Sequence, residues 1–83
     1  MMGFQKRFDI QMFPLNKKLP GILIELKAGK GCGEMQLREL AENALVQMNK
    51  KKYSVEMTAY GVTEILKYGI AFSGKNVCVM AEE

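Results

Sequence analysis

The sequence predicts a small α/β domain whose elements follow in the order β-β-α-β-β. Alternating apolar and polar residues predict a first strand, and an apolar run soon after it predicts a second one. Apolar residues at helical spacing follow, and two further strand-like segments surround a short turn near the end of the chain. With 48% hydrophobic residues, residues 1–83 are expected to form one folded domain.

The first two strands are joined by a proline-framed turn. Residues Phe8–Phe13 alternate between apolar and polar side chains, which is typical of a strand with one covered face. Residues Pro14–Pro20 form the turn. Gly21–Lys27 is the second strand, and its apolar run ends in Glu25-Leu26-Lys27.

A glycine-rich loop and a long amphipathic helix come next. The loop, Ala28–Gly33, lacks the spacing of a phosphate-binding P-loop and is therefore interpreted as a flexible connection. From Glu34 to about Lys51, apolar residues recur at helical spacing along one face. The sequence thus places its main helix directly after the second strand.

The C-terminal half adds a short helix and two strands. The segment Tyr53–Ala59 is the short helix, and it ends before a glycine. The strands are Ile65–Phe72 and Val77–Met80, and Ser73–Asn76 between them is a hairpin turn. The chain shows no internal repeat and no low-complexity tract.

Composition excludes several kinds of chemistry. The chain has no histidine, which removes the Ser-His-Asp and Cys-His triads, and two separated cysteines, Cys32 and Cys78, cannot close a zinc site. No apolar stretch approaches the roughly 20 residues of a membrane span, and the N-terminus lacks an apolar signal region. We therefore expect a cytoplasmic protein with reduced thiols. The net charge of +3 permits a polyanionic partner without requiring one.

The first turn also predicts how the first two strands pair. It is symmetric about Lys17, and antiparallel pairing about that centre opposes residues whose numbers add up to 34. Asp9 and Glu25 then face each other on one side of the sheet, with Cβ atoms roughly 4.5–5.5 Å apart. Lys27 lies two residues along on the same face, because strand side chains alternate.

Two opposed carboxylates and a lysine suit metal-assisted phosphodiester chemistry. Ionised carboxylates at this separation repel each other, and a cation between Asp9 and Glu25 would relieve the repulsion. Hard oxygen ligands favour Mg²⁺, Mn²⁺ or Ca²⁺, and Lys27 would lie near a phosphate held by the metal. The alternative is an ordinary solvated sheet face, since a single E-x-K pattern is common.

Five segments of the sequence, taken in order, carry a resemblance to a known family. They are Arg7–Ile10, Pro20–Lys27, Ala44–Met48, Lys51–Tyr53 and Ile65–Lys75. Together they resemble the PD-(D/E)XK nuclease superfamily, and more closely the nuclease-like domain at the C-terminus of bacterial AAA-ATPase-like proteins. The resemblance covers the chain from Arg7 to about Val79.

The resemblance implies a restriction-endonuclease-like fold, in which a central mixed sheet is flanked by helices. It implies hydrolysis of nucleic-acid phosphodiesters, with DNA rather than RNA as the expected partner and Mg²⁺ or Mn²⁺ as the cofactor. Asp9 and Glu25 would be metal ligands, and Lys27 would orient or activate the attacking water. Gln47 resembles a helix glutamine that some subfamilies place beside the site, and Tyr53 resembles the tyrosine that often follows it.

Two departures accompany the resemblance. Lys6 stands where the family usually has glycine, and the helix that the family places upstream of the Asp9 strand is missing. We therefore expect a domain shortened at its N-terminus, with one sheet face left uncovered. A homodimer, or a partner that supplies the missing layer, would bury that face. The alternative function is a non-catalytic nucleic-acid-binding or assembly module that retains the nuclease fold.

Other polar and aromatic residues have simpler interpretations. Gln47 adjoins the apolar stripe of the main helix and fits a boundary residue bonded to solvent as well as a site residue. The run Lys50–Lys52 could contact phosphates, but we interpret it as a solvated helix end. Tyr53, Tyr60 and Tyr68 could stack on bases, but in so small a core we interpret them as packing residues.

Overall fold

The computed structural model of the protein describes residues 6–16 and 18–82, with side chains from Asp9 onward. Residues 1–5, Lys17 and Glu83 lie outside this description. The segment considered for a signal sequence and the residue at the centre of the first turn are therefore not among the described residues.

Four strands and two helices follow one another in the expected order. They are β1 (Lys6–Met12), β2 (Gly21–Ala28), α1 (Glu34–Lys50), α2 (Tyr53–Tyr60), β3 (Ile65–Ser73) and β4 (Asn76–Glu82). The strands differ slightly from their predicted bounds: β1 begins two residues earlier and ends one residue earlier, β2 and β3 each extend by one residue, and β4 extends further at both ends. Pairing with the neighbouring strand explains the extensions, because Lys6 still pairs with Ala28, Ser73 with Asn76 and Glu82 with Lys67.

The four strands form one mixed sheet in the order β1-β2-β3-β4. The two outer pairs are antiparallel, and the central pair, β2 with β3, is parallel. A parallel pair needs a long crossover, which here is supplied by the two helices. The α/β architecture predicted from the sequence is confirmed, and its mixed sheet is consistent with a restriction-endonuclease-like fold.

Both helices pack on the same face of the sheet, where the core lies. The stripe of apolar residues on α1 is buried against β2, β3 and β4, and Met57 of α2 joins it. Two clusters of buried residues form much of the described core, with Leu23, Met48, Met57 and Val62 in one and Leu37, Leu40, Ala41 and Ala71 in the other. Neither helix in the described part of the chain is long and apolar enough to cross a membrane.

Helix α1 lies unusually close to β3 at Gly69. A Cβ atom at this position would overlap the backbone carbonyl oxygen of Ala41 and would come within 3.1 Å of the Ala44 Cβ atom. Gly69 is also the residue that pairs with Glu25 on β2. The absence of a side chain at position 69 therefore lets the helix approach the part of the sheet that carries Glu25.

The opposite face of the sheet is apolar. Across residues 6–16 and 18–82, both helices pack on the core side and none covers this face. Its side chains include Ile10, Val77 and Val79, which are 39–62% exposed. We call this surface the open face; its other members are Met12, Ile22, Ile24, Leu26, Leu66, Tyr68, Ile70 and Phe72.

Replacing Gly69 with alanine is expected to destabilise the fold by about 1–3 kcal/mol, because overpacking forces helix and sheet apart. The free energy of unfolding would be measured by urea denaturation followed by circular dichroism. Gly33→Ala is the matched control, because a Cβ atom there meets only the Gln36 Oε1 atom at 3.8 Å. If Gly69→Ala lowers the free energy of unfolding no more than Gly33→Ala does, the close approach of α1 to β3 is contradicted.

Candidate active site

Asp9 on β1 and Glu25 on β2 are direct partners in the antiparallel ladder. The predicted register is confirmed, and it holds along the whole pair of strands, from Lys6 opposite Ala28 to Met12 opposite Ile22. Glu25 is 1% exposed, whereas the Asp9 side chain is 26% exposed. We call these two residues the acid pair: one carboxylate lies in the core and the other at its entrance.

The alternation of β2 explains why Glu25 is buried. Every second residue of the strand faces the helices, so Glu25 shares its face with Leu23 and Lys27. Lys27 is 5% exposed. The interpretation of Glu25 and Lys27 as an ordinary solvated face is therefore wrong, because both side chains point into the helix-covered side of the sheet.

The ammonium group of Lys51 bridges the acid pair. Its Nζ atom donates hydrogen bonds to Asp9 Oδ2 at 2.6 Å and to Glu25 Oε1 at 3.1 Å. The hydroxyl of Tyr53 donates a further hydrogen bond to Asp9 Oδ2 at 2.9 Å. The Lys51 Nζ atom also lies 5.6 Å from the centre of the Tyr53 ring. Asp9 thus accepts hydrogen bonds from two donors that lie where α1 ends and α2 begins.

The interpretation of Lys50–Lys52 as a solvated helix end is wrong for its middle residue. Lys51 is half-buried at the C-cap of α1, while Lys50 and Lys52 are exposed. A signal in the sequence could have found this difference. Lys51 follows Met48 by three positions and Ala44 by seven, so it continues the buried stripe of the helix.

Contacts at the end of α1 fix the position from which Lys51 reaches the acid pair. The Asn49 side chain donates a hydrogen bond to Glu82 Oε2 at 3.1 Å and accepts one from the Lys67 ammonium at 2.9 Å. The backbone N–H of Lys51 donates to the carbonyl of Met48 at 3.1 Å. The last turn of the helix is therefore attached to β3 and β4.

The charges of this cluster shift one another's pKa values. Burial raises the pKa of Glu25, although the hydrogen bond from Lys51 opposes this effect. Burial also acts on Asp9, but the hydrogen bonds from Lys51 and Tyr53 outweigh it and hold the pKa of Asp9 below its usual range. The hydrogen bond to Asp9 raises the pKa of Tyr53.

Asp9 and Glu25 in turn shift the pKa of Lys51. Burial acts to lower the pKa of Lys51, but its hydrogen bonds to Asp9 and Glu25 outweigh burial, so the pKa of Lys51 is raised. At neutral pH its ammonium is charged. Glu25 is therefore the member of the acid pair that takes up a proton first as the pH falls.

The other residues named from the sequence are distributed around this cluster. Gln47 is half-buried on α1, four residues before Lys51 and on the same side of the helix. Tyr53 packs against the core as well as contacting Asp9. Tyr60 stacks edge-on against Phe13, with ring centres 5.2 Å apart, which agrees with a packing role. The structure thus brings Asp9, Glu25 and Tyr53 together.

Within residues 6–16 and 18–82, no group of three or more His, Cys, Asp or Glu side chains is arranged to hold a metal ion. The acid pair is therefore the carboxylate donor set available at this site. Its chemistry nevertheless fits a hard divalent cation, since Mg²⁺ is commonly bound by one or two carboxylates and completes its shell with water and substrate phosphates. The Lys51 ammonium marks a position where positive charge is stabilised.

Comparison with known families gives a match over nearly the whole chain. The family model described as the PD-(D/E)XK nuclease superfamily matches residues 5–82. This range contains all six elements and all the candidate site residues. No curated protein and no solved structure matches the chain.

Replacing Glu25 with glutamine is expected to stabilise the fold at pH 7. Because the pKa of Glu25 is raised in the folded state, its contribution to stability is present below the unfolded-state pKa and is lost as the pH rises through the folded-state value. Glu25→Gln should therefore raise the free energy of unfolding at neutral pH. The difference should vanish near pH 4, where the protonated acid resembles the amide.

Urea denaturation of the wild type and of Glu25→Gln at pH values from about 4 to 7 measures this difference in stability. Glu39→Gln, on the exposed side of α1, removes the same charge and should change stability by less than about 0.5 kcal/mol. A Glu25→Gln protein that is less stable than the wild type at pH 7 would show that the contact with Lys51 outweighs burial.

Proposed function

Because the chain belongs to the PD-(D/E)XK nuclease superfamily, we propose that it is a metal-dependent nuclease that hydrolyses phosphodiester bonds in DNA. The acid pair carries this proposal: Asp9 faces Glu25, and Lys27 follows on the same buried face. Asp9 and Glu25 are the proposed ligands of Mg²⁺ or Mn²⁺. When bound, such a cation polarises the phosphate and lowers the pKa of a coordinated water.

The side chains around the acid pair have complementary tasks. Hydrolysis adds water across a P–O bond, which leaves a phosphate monoester and a free hydroxyl. Lys27 is the proposed group that holds the attacking water and stabilises the negative charge growing on the phosphate. Gln47, with both a donor and an acceptor on its amide, is proposed to help orient the phosphate. Tyr53 keeps Asp9 in place through its hydroxyl.

Nucleic acid is the proposed partner, and the cytoplasm is the proposed compartment. Lys50 and Lys52 are exposed on either side of Lys51, where they can contact backbone phosphates without regard to sequence. Cys32 and Cys78 both carry free thiols, as is typical of proteins in a reducing compartment.

A non-catalytic binding or assembly module is the second candidate function. The specific observation in its favour is that Lys51 already neutralises the acid pair. A domain that keeps the fold but has replaced a bound metal with its own ammonium group would bind nucleic acid without turnover. The two functions differ in whether cleavage depends on added metal.

Cleavage assays with Mg²⁺ or Mn²⁺ on DNA and on RNA test the nuclease proposal. The wild type is expected to cut DNA, and Glu25→Ala and Lys27→Ala should each reduce the rate by about 100-fold or more, since each removes a charge that acts on the reacting phosphate. Glu39→Ala, on the exposed side of α1, is the control for loss of a charge outside the site.

Three outcomes would contradict this expectation in different ways. Cleavage that survives both substitutions would reveal a contaminating enzyme. Cleavage of RNA but not of DNA would correct the substrate class. Metal-independent DNA binding with no cleavage in either metal would establish the binding module instead.

We also propose that a second copy of the chain covers the open face. Four strands spaced by about 4.8 Å and roughly seven residues long give an apolar patch on the order of 400 Å², a size that marks an interaction site. From Ile10 across to Val79, the side chains described on this face are uncharged. Two copies that each carry a net charge of +3 can therefore associate here without opposing like charges at the contact.

Sedimentation velocity at micromolar concentration should show a homodimer, and Val79→Lys should convert it to a monomer because it places a charge in the contact. Val46→Lys is the matched control, since Val46 on α1 is 53% exposed, as is Val79. A wild-type monomer would contradict the homodimer and leave the open face to a different partner.

A further inference from the structure

We propose that Lys51 competes with the divalent cation for the acid pair and thereby sets how tightly the domain binds its metal. This inference rests on the proposed function, because it concerns the cation assigned to Asp9 and Glu25. Lys51 is here a positioning residue: it holds the two carboxylates while no metal is bound, and it leaves when one binds.

The competition follows from the atoms that Lys51 occupies. Its Nζ atom contacts one oxygen of each acid, Asp9 Oδ2 at 2.6 Å and Glu25 Oε1 at 3.1 Å. A divalent cation held by Asp9 and Glu25 would draw on the same carboxylate groups, because hard cations take oxygen ligands. An ammonium group and a divalent cation would then be held side by side by a single pair of acids, and their mutual repulsion excludes simultaneous occupancy.

The backbone around Lys51 allows the side chain to leave without moving a helix. Lys51 is the C-cap of α1 with extended dihedral angles, φ −92° and ψ 157°. Its backbone N–H remains bonded to the Met48 carbonyl. The side chain is 23% exposed, so rotation about its own bonds brings the ammonium to solvent. Tyr53 continues to hold Asp9 through a separate hydrogen bond.

Lys51 therefore stabilises the metal-free protein and weakens metal binding by the same contacts. Without it, Asp9 and Glu25 would face each other as two negative charges, one of them 1% exposed. A cation that replaces Lys51 gains the attraction of both carboxylates but must first break two charge-assisted hydrogen bonds. Removal of the ammonium should for this reason strengthen metal binding while it weakens the metal-free fold.

Calorimetric titration of the metal-free proteins with Mg²⁺ or Mn²⁺ at about pH 8 tests the competition. Lys51→Met should bind about tenfold or more tightly than the wild type, since a charge-assisted hydrogen bond contributes on the order of this factor. Lys50→Met removes the same charge one residue away, and its affinity should stay within about threefold of the wild type.

Two further variants allow the competition to be tested even if Lys51→Met does not fold. Lys51→Gln keeps a hydrogen-bond donor but no charge, so it should also bind more tightly than the wild type. Lys51→Arg keeps the positive charge and should bind no more tightly than the wild type. Thermal unfolding with and without metal gives a second readout, because the increase in Tm on adding metal should be greater for the neutral variants.

The outcomes separate this inference from the proposed function. Equal affinity of the wild type, Lys51→Met and Lys51→Gln would overturn the competition and leave the metal site intact. Weaker binding by the neutral variants would show that Lys51 supports the metal and would also overturn it. No binding by any of the proteins would overturn both the competition and the proposed metal site.

Chemical labelling of the wild type tests the same displacement without a substitution. An amine-reactive reagent should label Lys51 slowly in the metal-free protein and faster in saturating Mg²⁺, as read by peptide mass spectrometry. Lys50 in the same protein is the internal control, and its labelling should not change. Unchanged or slower labelling of Lys51 in saturating Mg²⁺ would contradict its release.

Discussion

Asp9 and Glu25 bring two negative charges to adjoining positions of neighbouring strands, and Glu25 does so almost without exposure to water. Repulsion and burial both disfavour this arrangement. The surrounding contacts offset it: Lys51 donates to both carboxylates and Tyr53 donates to Asp9. The bend between the two helices, where both donors lie, is therefore part of the site as well as a connection in the fold.

Much of the fold could be predicted because its determinants are local. Strand alternation, the helical stripe of α1 and the spacing of Pro14 and Pro20 each depend on a few neighbouring residues. The register of the first hairpin, and with it the opposition of Asp9 and Glu25, followed from the turn alone. The parallel pairing of β2 with β3 depends on how the helices cross the sheet, and the family resemblance implied only that the sheet would be mixed.

The role of Lys51 could not be deduced in the same way. The apolar stripe of α1 distinguishes Lys51 from Lys50 and Lys52, but whether its ammonium reaches the acid pair depends on where α1 ends and how close it lies to β3. The short distance between α1 and β3 depends on Gly69, which lies eighteen residues further along the chain than Lys51. A contact between a helix end and two strands is a tertiary property, so the local pattern indicated only that Lys51 continues the buried stripe.

The position of β1 at the edge of the sheet has a consequence for Asp9. In the described sheet, β1 is hydrogen-bonded to β2 on one side only, whereas β2, which carries Glu25, is enclosed by two strands. Edge strands fray more readily than central ones, so we expect β1, the segment that carries Asp9, to open by local unfolding before β2 does. A cation that joins the two acids would crosslink this segment to the interior of the sheet. The concentration of divalent ions around the protein would then govern how often the edge of the sheet opens.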